Sequence, residues 1–326
     1  MPEFTYAQAV NQALREEMRR NNRIVLMGMD IGRYGGVFGV TRGLYDEFPG
    51  RVRDCPLNEA AIVGFSIGLA ISGMPTVAEL EFMDFATYAM DQITNQAAKL
   101  RYIWGGQVKV PLVVRMPIVG ELGFGSQHSQ SLEAWFMHTP GLKVVIPSTG
   151  YDAKGLLKTA LRDENPVVFI ENVKLYASRS NIPDEEYLIP FGKADIKRSG
   201  ADVTIVAISA MVPDALRAAA ELAEAGIDAE VIDPRTLAPL DADTIVASVR
   251  KTGRLIVAHK ANKTGGVGAE IAQIVSERAF DSLDAPVVRV AAQDVPIGAS
   301  QALEAATIPG TAEIVRAAKG LVGRHD

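Results

Sequence analysis

The chain has 326 residues, 48% hydrophobic and 22% charged, with a net charge of −6 and a single cysteine. This is globular composition with length for two domains, and the lack of a basic block argues against a nucleic-acid or anionic-membrane surface. Cys55 alone cannot form an intrachain disulfide and fits a reducing, cytoplasmic setting, while no apolar run approaches the roughly 20 residues of a membrane span.

Residues 6–20 carry apolar side chains at Val10, Leu14 and Met18, a helical spacing with Thr5 placed to cap it. A short buried strand is expected at 23–28. Residues 32–39 hold four glycines, a loop where backbone can approach a ligand closely. Asn58 is a cap candidate for a helix to about residue 72, in which Gly64, Gly68 and Ala70 suit tight packing. A strand at 76–80, a helix at 85–100 and a strand at 110–116 stopped by Pro117 come next. Residues 120–126 form a second glycine-rich loop, and a helix is expected over about 129–138. Strand 143–146, helix 152–162 and strand 167–170 complete an alternation that implies a parallel sheet with helices on both faces.

Residues 172–200 are polar, contain Pro183 and Pro190, and read as a linker. The alternation then resumes: strand 203–208, helix 213–225, strand 229–232, helix 241–250, strand 255–258, a glycine turn at 265–268, a helix to about 280 and a strand at 287–290. The fold class is therefore α/β with two domains, 1–190 and 191–326.

Several chemistries find no support. Gly266-Val267-Gly268 has isoleucine, Ile271, where a dinucleotide fingerprint needs its third glycine, and Gly192-Lys193 is followed by Ala194 rather than a hydroxyl residue. His128, His138, His259 and His325 show no paired metal-ligand spacing. No Gly-x-Ser-x-Gly elbow occurs. Cys55 reads as a small apolar residue rather than a nucleophile.

Two polar features remain. Glu59 opens an otherwise apolar, small-residue helix. A carboxylate there is either a helix-dipole partner worth about 0.3–1 kcal/mol or an acid poised to share a proton with a heterocycle in a dry pocket. His128, in Gln127-His128-Ser129-Gln130, sits where a glycine loop ends. It is either a surface or capping residue or, since loops at strand ends carry chemistry in α/β folds, a functional one. Phe82 and Phe85 read as core or as a slot for a flat ring with Glu81 nearby, and Asp84 as a helix N-terminal acid. Lys260 and Glu270 flank the second-domain glycine turn and need no functional role.

The segments Gly35-Gly36-Val37-Phe38-Gly39-Val40-Thr41, Met90-Asp91-Gln92-Ile93-Thr94-Asn95-Gln96-Ala97-Ala98-Lys99, Gln127-His128-Ser129-Gln130-Ser131-Leu132-Glu133-Ala134 and Asp233-Pro234-Arg235-Thr236-Leu237-Ala238-Pro239-Leu240-Asp241 are specific in combination. On them the chain resembles, over nearly its whole length, the β subunit of the thiamine diphosphate-dependent dehydrogenase component of 2-oxo acid dehydrogenase complexes, the pyruvate, branched-chain and acetoin enzymes among them. The resemblance implies two three-layer α/β/α domains, a pyrimidine-binding domain followed by a transketolase C-terminal-like domain. It implies that Glu59 bonds N1′ of the aminopyrimidine and so promotes the ylide, that Leu57, Glu81, Phe82 and Phe85 contact the cofactor, and that His128 stands near the reacting carbonyl. Backbone oxygens near Leu112, Ala160, Asp163 and Asn165 match a monovalent-cation site, usually potassium.

The Gly-Asp-Gly motif that grips Mg²⁺ and diphosphate in this family is absent from the chain. The resemblance assigns it to an α subunit in an α₂β₂ assembly that passes an acyl group to a lipoyl acyltransferase. Three positions depart from the family pattern. Met29 replaces a usual acid, Glu81 stands where many relatives have glutamine or an apolar residue, and Lys260 stands where an acid is common. A split transketolase-like transferase subunit is the alternative reading, and a non-catalytic scaffold subunit is a third.

Overall fold

The computed structural model describes residues 2–323; Met1 and residues 324–326, with His325, lie outside them. The described chain forms two compact units. One comprises the residues up to Gly120 together with Gln127–Phe191, and the other comprises Glu121–Ser126 with the chain from Gly192 onward. The short stretch Glu121–Ser126 thus groups with the second unit although it is flanked in sequence by the first.

In the first unit six strands lie side by side in the order Lys143–Val145, Val167–Asn172, Leu112–Ile118, Thr76–Glu79, Val25–Gly28, Val52–Asp54, all parallel. Leu112–Ile118 and Val167–Asn172 are buried throughout, the signature of strands covered on both faces. Pro117 does not stop its strand as expected. The rungs to Thr76–Glu79 end at Arg115, so the missing proline N–H falls where no neighbour needs it.

Helix Tyr6–Arg20 starts on the expected Thr5 cap, with Gln8 returning the bond, and packs against helix Gly150–Leu161. Helix Glu59–Ile71 starts on Asn58, whose side chain accepts from the Ala61 N–H at 2.9 Å. The expected helix at 85–100 is instead a 3₁₀ turn, Met83–Ala89, a π-helical stretch, Asp91–Ala97, and a short α-helix, Ala98–Ile103. Side chains hold the widened turns: Thr94 Oγ1 donates to Met90 O at 2.7 Å and Asn95 Nδ2 to Asp91 Oδ1 at 2.8 Å.

In the second unit the strand order is Val288–Ala292, Leu255–Asn262, Val203–Ala207, Ala229–Asp233, Asp195–Arg198, parallel except for the last. Helix Met211–Glu224 buries Met211, Ala215, Ala218, Ala219 and Leu222, one face at helical spacing, on a core that also takes Ile314 and Ala318. Those two come from helix Thr311–Val322, which with Gln301–Thr307 was not anticipated. The polar stretch 172–200 is not a bare linker either. Arg179–Asn181 pairs antiparallel with Glu3–Thr5, and Asp195–Arg198 edges the second sheet. Both are short strands whose polar sequences suit sheet edges. No helix among the described residues is long and apolar enough to cross a membrane.

Candidate active site

Of the residues singled out from the sequence, Phe82, Phe85 and His128 are in ring contact in the first unit, and Glu59 lies within electrostatic reach of Glu81. Glu81 follows the strand Thr76–Glu79 and precedes the turn Met83–Ala89, against which helix Glu59–Ile71 packs. Burial pushes the Glu81 carboxyl up to about 7, and the neighbouring carboxylates of Asp30, Glu59 and Glu79 push in the same direction. Its Oε1 is buried without a hydrogen-bond partner. Glu59 is therefore not the isolated acid that its apolar helix suggested. It is one of three carboxylates within electrostatic reach of Glu81.

Asp30 is carried by the glycine loop in a left-handed conformation, φ 54°, and its carbonyl accepts from the Gly36 N–H at 2.8 Å. Gly36 needs its freedom: φ is 82°, and a Cβ there would lie 3.3 Å from a Glu79 oxygen.

Phe82, Phe85 and His128 form a triangle of edge-on rings. The Phe82–Phe85 centroids are 5.2 Å apart, and His128 lies 4.9 Å from Phe82 and 5.2 Å from Phe85. Phe38 of the glycine loop adds an edge at 5.8 Å from Phe82. Phe82 is buried and His128 half-buried, so the rings pack on the imidazole as well as bounding a flat slot. Leu57 stands 67% exposed just ahead of Asn58.

His128 does not open a helix as expected. It lies in a turn, and the helix begins only at Glu133. The intervening backbone is taken up by the turn that carries the two phenylalanines. Asp84 Oδ1 accepts from the Gln130 N–H at 3.2 Å and from its side-chain Nε2 at 2.8 Å, and Leu132 N–H reaches Met83 sulfur at 3.3 Å. Asp84 is thus the anchor of the histidine segment rather than only a helix-start acid. Burial raises its pKa, and the Gln130 bonds and nearby His128 partly offset this.

Beneath the acids lies a buried ionic network. Arg115 is 2% exposed and binds Glu171 through Nε at 2.7 Å and Nη2 at 3.0 Å, pairs with Glu79 through Nη1, and Tyr176 donates to Glu171 Oε2 at 3.0 Å. Burial works against the guanidinium charge, but Glu171 and Glu79 more than offset it, so Arg115 stays a cation. One of the carboxylates that act on Glu81, Glu79, is thereby ion-paired with Arg115.

The four residues matched to a monovalent-cation site fall in two places that adjoin. Ala160 lies in the last turn of helix Gly150–Leu161 and its carbonyl accepts from Asp163 N–H at 3.2 Å, while Asp163 Oδ1 accepts from Asn165 N–H at 2.8 Å and Nδ2 at 2.9 Å. Leu112 begins its strand two residues after Val110, whose N–H reaches Glu164 O at 2.9 Å. Asp163 also pairs with Lys143. Burial alone would raise the Asp163 pKa, but Lys143 and Asn165 hold it below the usual range.

Known proteins resemble the chain over nearly its whole length. The transketolase pyrimidine-binding domain model matches residues 2–179 and the transketolase C-terminal domain model residues 192–314. The chain is 46% identical over 321 residues to the pyruvate dehydrogenase E1 component subunit beta of Bacillus subtilis, covering 98% of each chain. It is 44% identical to the acetoin:2,6-dichlorophenolindophenol oxidoreductase subunit beta of Cupriavidus necator, with 97% of each covered. It is 45% identical to the 2-oxoisovalerate dehydrogenase subunit beta of Bacillus subtilis, with 91% of each covered.

The chain belongs to the dehydrogenase E1 β-subunit family.

Among solved structures, a split-gene transketolase described as an inactive β4 tetramer superposes with a TM-score of 0.82 at 25% identity, covering 99% of each chain. The family and the two-domain α/β fold expected from the sequence are thus both established.

Glu81 yields a direct test. Its carboxyl takes up a proton on folding, because its folded pKa of about 7 lies above the ordinary 4.5. Stability contributed by this group is therefore lost as pH rises from about 4.5 to 7. Glu81→Gln is expected to melt higher than the unsubstituted chain at pH 8 and to match it most closely at pH 5. Parallel melting-temperature curves across that range would show that Glu81 carries no such load.

Proposed function

We propose that this chain is the β half of a thiamine diphosphate-dependent dehydrogenase that acts on a 2-oxo acid, pyruvate or a branched-chain acid, or on acetoin. It works with an α subunit in an α₂β₂ assembly and hands an acyl group to a lipoyl acyltransferase. The observation that supports this reading is the packing of His128 on Phe82 and Phe85 directly after Glu81, whose raised carboxyl lies within electrostatic reach of Glu59. When bound, thiamine diphosphate supplies a carbon nucleophile that adds to a carbonyl and holds the electron pair released as the adjacent C–C bond breaks.

The residues present fit the aminopyrimidine end of that molecule. Buried Glu81 Oε1 without a partner, next to Glu59, offers two carboxyl groups to a ring bearing basic nitrogens. Phe38, Phe82 and Phe85 offer aromatic walls to a flat ring. Glu59 would hold the proton at the ring's N1′ atom, Glu81 would keep that proton from spreading to water, and His128 would donate to the substrate oxygen. The diphosphate and Mg²⁺ would be held by the α subunit, and a potassium ion by the carbonyls around Ala160 and Asp163.

Exposed apolar side chains in the first unit support a partner chain. Leu57 and Phe65, before and on the Glu59 helix, are 67% and 68% exposed, and Tyr102, Ile103 and Trp104, after the π-helical segment, are exposed too. Identities of 44–46% to pyruvate, acetoin and 2-oxoisovalerate enzymes stand well above the 25% to the transketolase, which favours a dehydrogenase over a sugar transferase.

The isolated chain is expected to be inactive. Mixed with its α subunit, thiamine diphosphate and Mg²⁺, it should reduce a dye acceptor with at least one of pyruvate, a branched-chain 2-oxo acid or acetoin. Equal inactivity on all three rejects the dehydrogenase reading, and turnover with a sugar acceptor instead would establish the transferase.

A further inference from the structure

The segment that carries His128 has almost no backbone support of its own. Residues 127–131 lie outside any helix or strand and make no backbone-to-backbone hydrogen bond among the described residues. The one bonded backbone group in that stretch is the Gln130 N–H, and its acceptor is a side chain, Asp84 Oδ1. A stretch without a ladder is held only as well as its side-chain contacts hold it.

Those contacts fall at every second residue and all reach residues 82–85. The imidazole of His128 packs edge-on to Phe82 and Phe85, Gln130 gives its N–H and its Nε2 to Asp84, and the Leu132 N–H reaches the Met83 sulfur. Alternate residues of an extended stretch face one side, so that side of 128–132 is committed to one short piece of chain. This piece is itself fixed: Phe85 N–H donates to Phe82 O at 3.1 Å and Thr87 Oγ1 to Asp84 O at 2.9 Å. All of these residues belong to the first unit.

Asp84 is 4% exposed, and its Oδ2 is buried with no bond to another residue. Burying a carboxylate in this way costs free energy. What offsets the cost in this fold is the double hold of Oδ1 on Gln130, at 3.2 and 2.8 Å.

We infer that Asp84 is a positioning residue for His128, tying the histidine segment to the same turn that carries the two phenylalanines. The inference rests on the reading of His128 given under Proposed function. Because Asp84 stands between Phe82 and Phe85, one element sets both the aromatic slot and the place of the imidazole against it. A shift of the turn moves slot and imidazole together; loss of the clamp lets the imidazole wander from a slot that stays where it is.

The test uses Asp84→Ala and Asp84→Asn in the full chain, alone and assembled with its α subunit. Alanine removes the acceptor, whereas asparagine keeps an oxygen for both Gln130 donors. In Asp84→Ala, amide exchange at Gln130 is expected to quicken about tenfold or more, and the ¹³Cε1 resonance of His128, assigned with His128→Ala, to shift. In Asp84→Asn, exchange should stay within about threefold of the unsubstituted chain. In the assembled enzyme Asp84→Ala should lower kcat about 30-fold with KM within about threefold, and Asp84→Asn should recover most of that loss. In a His128→Ala background Asp84→Ala should cost less than about twofold, because the group being positioned is gone.

Unchanged Gln130 exchange in Asp84→Ala overturns the clamp. An unmoved His128 resonance, an undiminished loss in the His128→Ala background, or no recovery with asparagine overturns the positioning role. If Asp84→Ala does not fold, Gln130→Met removes the 2.8 Å bond alone, and an unmoved His128 resonance in that variant overturns the positioning role equally. Should the unsubstituted complex turn over none of the substrates, the functional reading fails while the exchange and resonance measurements still decide the clamp.

Discussion

Glu59→Gln in the assembled αβ enzyme is expected to lower kcat by about 10²–10⁴-fold, the range in which a positioned proton-transfer group operates. Glutamine preserves the size of the side chain and its place in the first turn, and the Asn58 cap to Ala61 N–H is untouched. The fold and the association with the α subunit should therefore be unaffected. What is lost is a group able to hold a proton and release it. Cofactor affinity should change little, so the loss lies in turnover rather than binding.

A second consequence follows from the coupling of the acids. Glu59 is one of the charges that push Glu81 up to about 7. Its removal should lower the Glu81 pKa and shift the stability loss on raising pH toward more acidic values. Retention of kcat within about threefold would remove Glu59 from the chemistry. It would leave the carboxylate cluster without its proposed purpose.

Arg115→Met is expected to be the most damaging substitution to stability in the first unit. The side chain is 2% exposed and is the cation between Glu171, fully buried, and Glu79. Removing one partner of a buried pair leaves an uncompensated charge and costs about 3–5 kcal/mol. For a unit of this size that is a fall on the order of 10 °C in melting temperature.

The loss should depend on pH in a definite direction. Without the guanidinium, the Glu171 carboxyl, raised by burial and by the charge of Glu79, loses the cation that opposes the rise. It is tolerated when protonated and becomes destabilising as pH rises. The deficit should therefore be larger at pH 8 than at pH 5. Adding Glu171→Gln should recover part of it, since Tyr176 can still donate to the remaining oxygen. A melting temperature within a few degrees of the unsubstituted chain at pH 8 would mean that the buried charges find compensation elsewhere.

Local rules carried the sequence reading a long way. The Thr5 and Asn58 caps, the strand alternation of the first unit and the apolar face of Met211–Glu224 follow from side-chain type and spacing, and all are present. The grouping of Glu59 with Glu81, Phe82, Phe85 and His128 came from family resemblance; in the structure Phe82, Phe85 and His128 are in ring contact, and Glu59 is within electrostatic reach of Glu81. The misses are long-range. Nothing near His128 says that Asp84, more than 40 positions earlier, takes up the backbone that a helix at 129 would have used. Pro117 looks like a strand stop until its neighbour on one side is seen to end at Arg115. The raised pKa of Glu81 comes first from burial and then from Asp30 and Glu59, which arrive from two other parts of the chain, with its near neighbour Glu79 adding to it. A signal was nevertheless available: an acid directly ahead of a buried phenylalanine, at the end of an apolar strand, is a poor fit to either neighbour.

The passage of Glu121–Ser126 into company with the C-terminal half makes the two halves poor candidates for separate production. A fragment stopped near residue 190 would carry this stretch without Glu304, which accepts from the Glu121 and Gly123 N–H groups, and Lys260, which pairs with the Glu121 carboxylate. Its strained backbone, left-handed at Glu121 with φ 73°, would be free to relax. The complementary fragment would be left with a sequestered acid deprived of the amides it was built to receive. Dissection at the apparent boundary would thus damage both products, and any attempt to graft a foreign second half onto this first half would have to bring a matching acceptor for the six-residue excursion.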